Sequence, residues 1–179
     1  MHLSEKAKNA LETLKTKLPE PWCFARPISN SYWGVDYFTS IMVAVQNPVA
    51  IDGIRIYELK PIAFEKAIKV NGFYVPSIED AIIIELYSPN PISAYLLYKK
   101  NERKIDKKYL YARILEEGLL KEASASLSHF DSFKKFIGKV NVPILSREEI
   151  ENKIAESYEI PPYRSFEEIV NQALEFLDI

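Results

Sequence analysis

Trp22-Cys23-Phe24-Ala25-Arg26-Pro27-Ile28-Ser29-Asn30-Ser31-Tyr32-Trp33-Gly34-Val35-Asp36-Tyr37-Phe38-Thr39-Ser40-Ile41-Met42-Val43-Ala44-Val45 is the stretch on which the fold turns. Its last part, Ser40 to Gln46, runs Ile41, Met42, Val43, Ala44 and Val45 without a polar break, the pattern of a short buried strand. Its first part is dense in rings: Trp22, Phe24, Tyr32, Trp33, Tyr37 and Phe38. Such a cluster fills a core or lines a pocket for a ring. Between the two parts, Gly34 and Asp36 mark a turn.

Working outward, the chain on the C-terminal side keeps a strand texture. Asp52-Gly53 is a turn pair, and Gly53 to Leu59 sets Ile54, Ile56 and a less regular Glu58 against Arg55, Tyr57 and Leu59. Ile62 to Val70 is a third strand candidate, although Phe64-Glu65-Lys66-Ala67-Ile68 reads equally well as helix. Gly72 turns the chain into Phe73-Tyr74-Val75. On the N-terminal side, Ala7, Ala10, Leu11, Leu14 and Leu18 form one apolar stripe, so a helix is expected from about Ser4 to Leu18. Pro19 and Pro21 end it.

After Pro76 the period becomes helical. Ser77 with Asp80 opens a helix through Ile82, Ile83 and Leu86, and Pro91 opens another with Ala94, Leu97 and Tyr98. Tyr109 to Leu115 and Leu119 to Leu127 follow, parted by Gly118. Ser146 with Glu149 and Ser165 with Glu168 have the spacing of capping boxes, which start helices reaching about Ser157 and about Leu177. Each has an apolar face: Ile150 and Ile154, then Ile169, Val170, Ala173, Leu174 and Leu177. The expected class is α+β: a small mixed sheet with an N-terminal helix, then a helical C-terminal part. Residues 1–90 make the expected core and 91–179 the helical part, continuous with it.

The bulk chemistry excludes several classes. The 179 residues carry 23 Lys+Arg against 25 Asp+Glu, a net charge of -2, so the chain as a whole is no polycation. A single cysteine, Cys23, allows no internal disulfide and favours a reducing compartment; between Trp22 and Phe24 it reads as a buried thiol. The opening residues lack an apolar signal core and no stretch reaches about 18 apolar residues, so a soluble, cytoplasmic protein without membrane partners is expected. His2 and His129 are too few and too far apart for a zinc site. The five glycines are dispersed, which excludes a phosphate loop or dinucleotide fingerprint, and no nucleophile elbow is present. Glu79 and Asp80 sit at a helix start, where negative charge suits the dipole. Neither catalytic residues, nor a metal, nor a cofactor are assigned.

The quoted stretch resembles the opening of the nucleotidyltransferase fold. In that family an apolar strand leads to a Gly-Ser pair, a short helix, a Tyr-Gly turn, a threonine, and a strand with two acids one residue apart. Trp33-Gly34 is similar to the turn and Thr39 to the threonine, while Arg26-Pro27 stands where Gly-Ser would be. Ile41 and Val43 stand where the acids would be. Downstream, Gly72-Phe73-Tyr74-Val75-Pro76-Ser77-Ile78-Glu79-Asp80-Ala81 is similar to the leading-helix segment of these proteins. Both segments also resemble the C-terminal domain of antitoxins of abortive-infection systems. The helix-turn-helix of a complete antitoxin is not evident before Trp22.

The resemblance implies a scaffold without its chemistry. Two residues one apart on a strand share a face, which is how the family aims its acids at two divalent metals. Ile41 and Val43 ligate nothing, and proline has no N–H to offer a phosphate. The first expectation is therefore a non-catalytic binding or regulatory module, antitoxin-like, acting through protein or nucleic-acid contacts. An active nucleotide-binding transferase with its carboxylates elsewhere, and a structural or interaction protein, are the alternatives.

Two sets of candidate residues follow. Lys99, Lys100, Arg103, Lys104, Lys107 and Lys108 form the densest basic run, within a segment from Pro91 to Ser146 that holds 11 basic and 6 acidic residues. Flanked by Tyr95, Tyr98, Tyr109 and Tyr111, it reads as a nucleic-acid contact or as a solvated helix end. From Arg147 on there are 3 basic and 9 acidic residues, which either neutralise that run or mark a partner surface. Arg26, Trp33, Asp36 and Tyr37 make a candidate pocket, with Asp36 the expected partner of Arg26.

Overall fold

The computed structural model describes residues 1–36, 39–88, 91–138, 145–158 and 164–179. Its elements in order are α1 (Glu5–Lys17), β1 (Trp22–Phe24), α2 (Ile28–Tyr32), β2 (Met42–Val45), β3 (Arg55–Glu58), α3 (Pro61–Glu65), β4 (Ile68–Val70), β5 (Phe73–Val75), α4 (Ile78–Tyr87), α5 (Pro91–Asn101), α6 (Lys107–Glu116), α7 (Leu120–Leu127), α8 (Asp131–Ile137), α9 (Arg147–Tyr158) and α10 (Phe166–Glu175). The fold is α+β. It divides into two compact units, one of Met1–Ser77 with Pro162–Ile179 and one of Ile78–Pro161. The division falls after Ser77 rather than near residue 90, because α4 packs on α5, α6 and α7, and α10 returns to α1.

In the first unit, β1 runs antiparallel to β2, with Phe24 opposite Val43, and β3 runs parallel to β2, with Val43 beside Ile56. β4 and β5 form a separate antiparallel hairpin. Its two-residue loop, Asn71-Gly72, has positive φ at both positions, as a type I′ turn requires. Ser4 caps α1 by accepting from the Ala7 N–H at 3.1 Å. The same residue ties α1 to α10: its N–H donates to Asn171 Oδ1 at 2.8 Å and its hydroxyl to Glu175 Oε1 at 2.6 Å. The apolar stripe of α1, Val170 and Leu174 of α10, Ile41, Val43 and Val45 of the central strand region, and Phe24 and Phe73 make one core cluster. The Ile62–Val70 segment splits. Its start is the helix α3, favoured by Pro61 in the first turn, where an N–H is dispensable, and only its end is strand.

In the second unit, α4 is buried from Ile78 to Leu86, so it is the central helix of its layer. Glu79 and Asp80 are therefore interior groups rather than solvated dipole partners. α8 has no sequence signature of its own; it is held by Phe133, which is 1% exposed and meets the Tyr111 ring edge-on at 5.6 Å. Both capping boxes form as expected: Ser146 and Glu149 exchange N–H bonds at 3.1 Å each, and Ser165 and Glu168 at 3.0 and 3.1 Å. Among the described residues, no helix is long and apolar enough to cross a membrane.

Candidate functional site

The strand face that the resemblance singled out is apolar and filled. Val43 is fully buried and Ile41 is 2% exposed, both in the core cluster with α1 and α10. A cleft of about 330 Å³ opens at the Ile41 end, with Thr39, Ser40, Asp52, Leu177 and Asp178 also on its walls. Among the described residues, no group of three or more His, Cys, Asp or Glu is placed to hold a metal ion.

Of the candidate pocket residues Arg26, Trp33, Asp36 and Tyr37, the first and third are not paired with each other as expected. The backbone ladder continues beyond β1, with Ala25 N–H to Met42 O at 2.8 Å and Met42 N–H to Arg26 O at 2.9 Å. That pairing lays the buried Arg26 side chain beside Met42, with Nε 3.0 Å from Sδ. Asp36 is instead clamped by Arg164, whose Nη2 donates to Oδ1 at 2.6 Å and whose Nε donates to Oδ2 at 3.2 Å. This corrects the Arg26–Asp36 pairing. The partner lies 128 residues away, and nothing local in either segment announces it. Trp33 is fixed by its indole N–H, which donates to Pro76 O at 3.0 Å. Gly34, at φ +86°, turns the chain after it. Tyr37 lies outside the described residues. Trp22 and Phe24 are core and Cys23 is 1% exposed, whereas Tyr32 lies at the surface.

The basic run forms the corner between α5 and α6. Lys99 and Lys100 occupy the last turn of α5, a favourable place for cations, but Lys107 and Lys108 occupy the first turn of α6, where the helix dipole disfavours them. Asp106 caps α6, accepting from Tyr109 N–H at 3.1 Å, and Lys104 N–H closes the preceding turn onto Asn101 O at 2.8 Å. Arg103, Lys104 and Lys108 are exposed. Lys99 is bonded to Glu151 of α9 at 2.9 Å. That hydrogen bond raises the Lys99 pKa and lowers that of Glu151, so the tail neutralises one member of the run.

The flanking tyrosines do not form a stacking platform. Tyr95, Tyr98 and Tyr111 are at most 2% exposed, and Tyr98 OH lies 2.7 Å from both Tyr111 OH and Ser132 Oγ. Their rings pack on Phe130, Phe133 and Phe136. A hydroxyl on a helix face that also holds leucines is satisfied inside the bundle, and the sequence does not tell that face from an exposed one.

Sequence reasoning also missed a buried ion network. Arg113 is 1% exposed and Asp80 is fully buried. Arg113 Nε donates to Asp80 Oδ1 at 3.2 Å and Nη1 donates to Glu117 Oε1 at 2.8 Å. Nη2 lies 3.1 Å from Asp80 Oδ1, within ion-pair range but too poorly aligned for a hydrogen bond of its own. Tyr109 OH donates to Asp80 Oδ2 at 2.6 Å, and Tyr87 OH donates to Glu117. Burial opposes the Arg113 charge, but the Glu117 hydrogen bond and the charge of Asp80 outweigh it and raise the pKa. Each charge in it faces an opposite charge, and the network reads as structure.

Burial, followed by the hydrogen bonds to Glu117 and Asp80 respectively, raises the pKa values of Tyr87 and Tyr109; burial also raises that of Tyr98. A raised tyrosine pKa means the unfolded chain loses its proton first. The stabilisation is complete below the unfolded value of 10.0 and is lost as pH rises above it. The tyrosinate absorbance that Tyr87→Phe, Tyr98→Phe and Tyr109→Phe each remove from the parent, followed from pH 8 to 13, should appear only as circular dichroism falls above about pH 10. Ionisation of any of these three near pH 10 in a still-folded chain would contradict these environments.

No family model, no curated protein and no solved structure matches this chain.

Proposed function

We propose that this chain is a non-catalytic, nucleotidyltransferase-like binding module, antitoxin-like in its use, that acts through protein or nucleic-acid contacts. The observation that carries the proposal is the apolar interior around Ile41 and Val43, where an active member of that fold would present metal-binding carboxylates. The nucleic-acid contact belongs to the corner between α5 and α6. There the backbone is tied down, the cations other than the half-buried Lys107 are exposed, and two lysines are kept at a helix start against their local electrostatic preference. Residues held against such a preference are expected where function needs them. With the tyrosines turned inward, the contact is to phosphates, not bases, and so is largely independent of sequence.

The test has two arms. Incubation with labelled ATP and Mg2+ or Mn2+ is expected to give no transfer; robust transfer would restore the catalytic alternative, with Asp52 and Asp178 the first carboxylates to replace. Binding of single-stranded RNA and DNA should fall with salt, with a log–log slope of about -3 for roughly four neutralised phosphates. Joint replacement of Lys99, Lys100, Arg103, Lys104, Lys107 and Lys108 by glutamate should abolish that slope together with the binding. Binding that survives the six changes removes this corner from the reading.

A further inference from the structure

A second site, independent of the basic corner, lies in the first unit. Glu20, Pro21 and Trp22 lead into β1, Phe64 and Ala67 come from α3 and its exit, and Tyr74 comes from β5; together they enclose about 280 Å³. Alternation along β5 forces Tyr74 outward, because Phe73 and Val75 on either side are buried. Tyr74 is left 44% exposed. Trp22 is fixed against Phe24, edge to face at 5.1 Å, so that wall is preorganised. Among the described residues, neither the Tyr74 hydroxyl nor the Glu20 carboxylate is drawn into a hydrogen bond or ion pair, and the Asn47 amide donates to the Glu20 backbone carbonyl.

We propose that this aromatic pocket binds the head of an organic cation, an alkylated ammonium, with Trp22, Phe64 and Tyr74 as its cage and Glu20 as its counter-charge. Ring faces carry negative potential and attract a soft, weakly hydrated cation; three rings with one free carboxylate are the donor set for it. An anion would meet repulsion from both the rings and Glu20. A neutral apolar ligand would leave the carboxylate without a role, and a small metal ion needs more oxygen ligands than one carboxylate and one phenol supply. Lys69 faces Tyr74 across the hairpin, is exposed and is not one of the walls, so it tunes the site from outside. The same chemistry is offered by a free quaternary amine and by a methylated lysine of a partner protein.

Two-dimensional NMR of the full chain, titrated with choline and separately with a short trimethyl-lysine peptide, separates these sources. Binding should move the Trp22 indole signal and leave that of Trp33, held by Pro76, in place. Tighter binding of the peptide identifies a protein partner; tighter binding of choline identifies a small molecule. The neutral tert-butyl isostere of choline should bind about tenfold more weakly, and Tyr74→Ala should weaken choline by a similar factor. Glu20→Gln should weaken it severalfold and Lys69→Gln should strengthen it. Equal affinity for the neutral isostere, an unaffected Tyr74→Ala variant, or an unmoved Trp22 signal with both probes would overturn the assignment. Each outcome stands apart from whether the basic corner binds nucleic acid.

Discussion

An Arg113→Ala variant will lose about 3–5 kcal/mol of stability, because the change takes the guanidinium away from a carboxylate held in the interior. Asp80 is fully buried, and the guanidinium of Arg113 contacts it through both Nε and Nη2. Tyr109 supplies a hydrogen bond to Asp80 but no charge. Glu117, which has only 9% of its side chain exposed, loses the Arg113 Nη1 contact at 2.8 Å as well. The ion pair itself need not be strongly stabilising relative to an apolar pair, since both ions were taken out of water to form it. The informative comparison is therefore Arg113→Met with Asp80→Asn. If the network is coupled, the double variant will be more stable than the sum of the single changes allows. Urea denaturation followed by circular dichroism measures all four variants. A loss below about 1 kcal/mol for Arg113→Ala would mean that water reaches Asp80 and that α4 is not an interior helix.

What the sequence made legible follows the distance over which each interaction acts. The capping boxes of α9 and α10 are complete within four residues, and both form. The turn at Gly72 and the stripe of α1 are equally local. The strand positions of Ile41 to Val45 were readable because a run of apolar residues bounded by turns has few other uses. The clamp of Arg164 on Asp36 was not readable, since the last helix had first to return to the first unit. Nor was the role of Arg113, which sits among alternating leucines, tyrosines and charges on α6 and looks there like a surface residue. The tyrosines beside the basic run show the same limit from the other side. Tyr98 and Tyr111 occupy helix positions compatible with either face, and their orientation was decided by Phe130 and Phe133, on elements without a strong signal of their own.

The second large effect concerns the strand face itself. A Val43→Asp variant should be destabilised by more than about 4 kcal/mol, losing the burial of valine and placing a carboxylate among the aliphatic and aromatic side chains of the core. Val43 is the middle of the sheet, paired with Phe24 on one side and Ile56 on the other, and no part of it reaches solvent. Ile41→Asp should cost less, because Ile41 borders the cleft and its replacement can turn toward water there. The pH dependence has a fixed sign. Burial raises the new carboxyl above the unfolded value of about 3.9, so the Val43→Asp protein should recover stability as pH falls toward 4 and lose it as pH rises. Melting curves at pH 4 and pH 8, run beside the parent, read this directly. The double variant carrying aspartate at both positions distinguishes a core from an emptied metal site. If the face is a core, the double variant will not fold at neutral pH and Mn2+ will not rescue it. A folded double variant that gains thermal stability on addition of Mn2+ would show that the strand still presents a cation site, and that its apolar filling gives way when the acids are supplied.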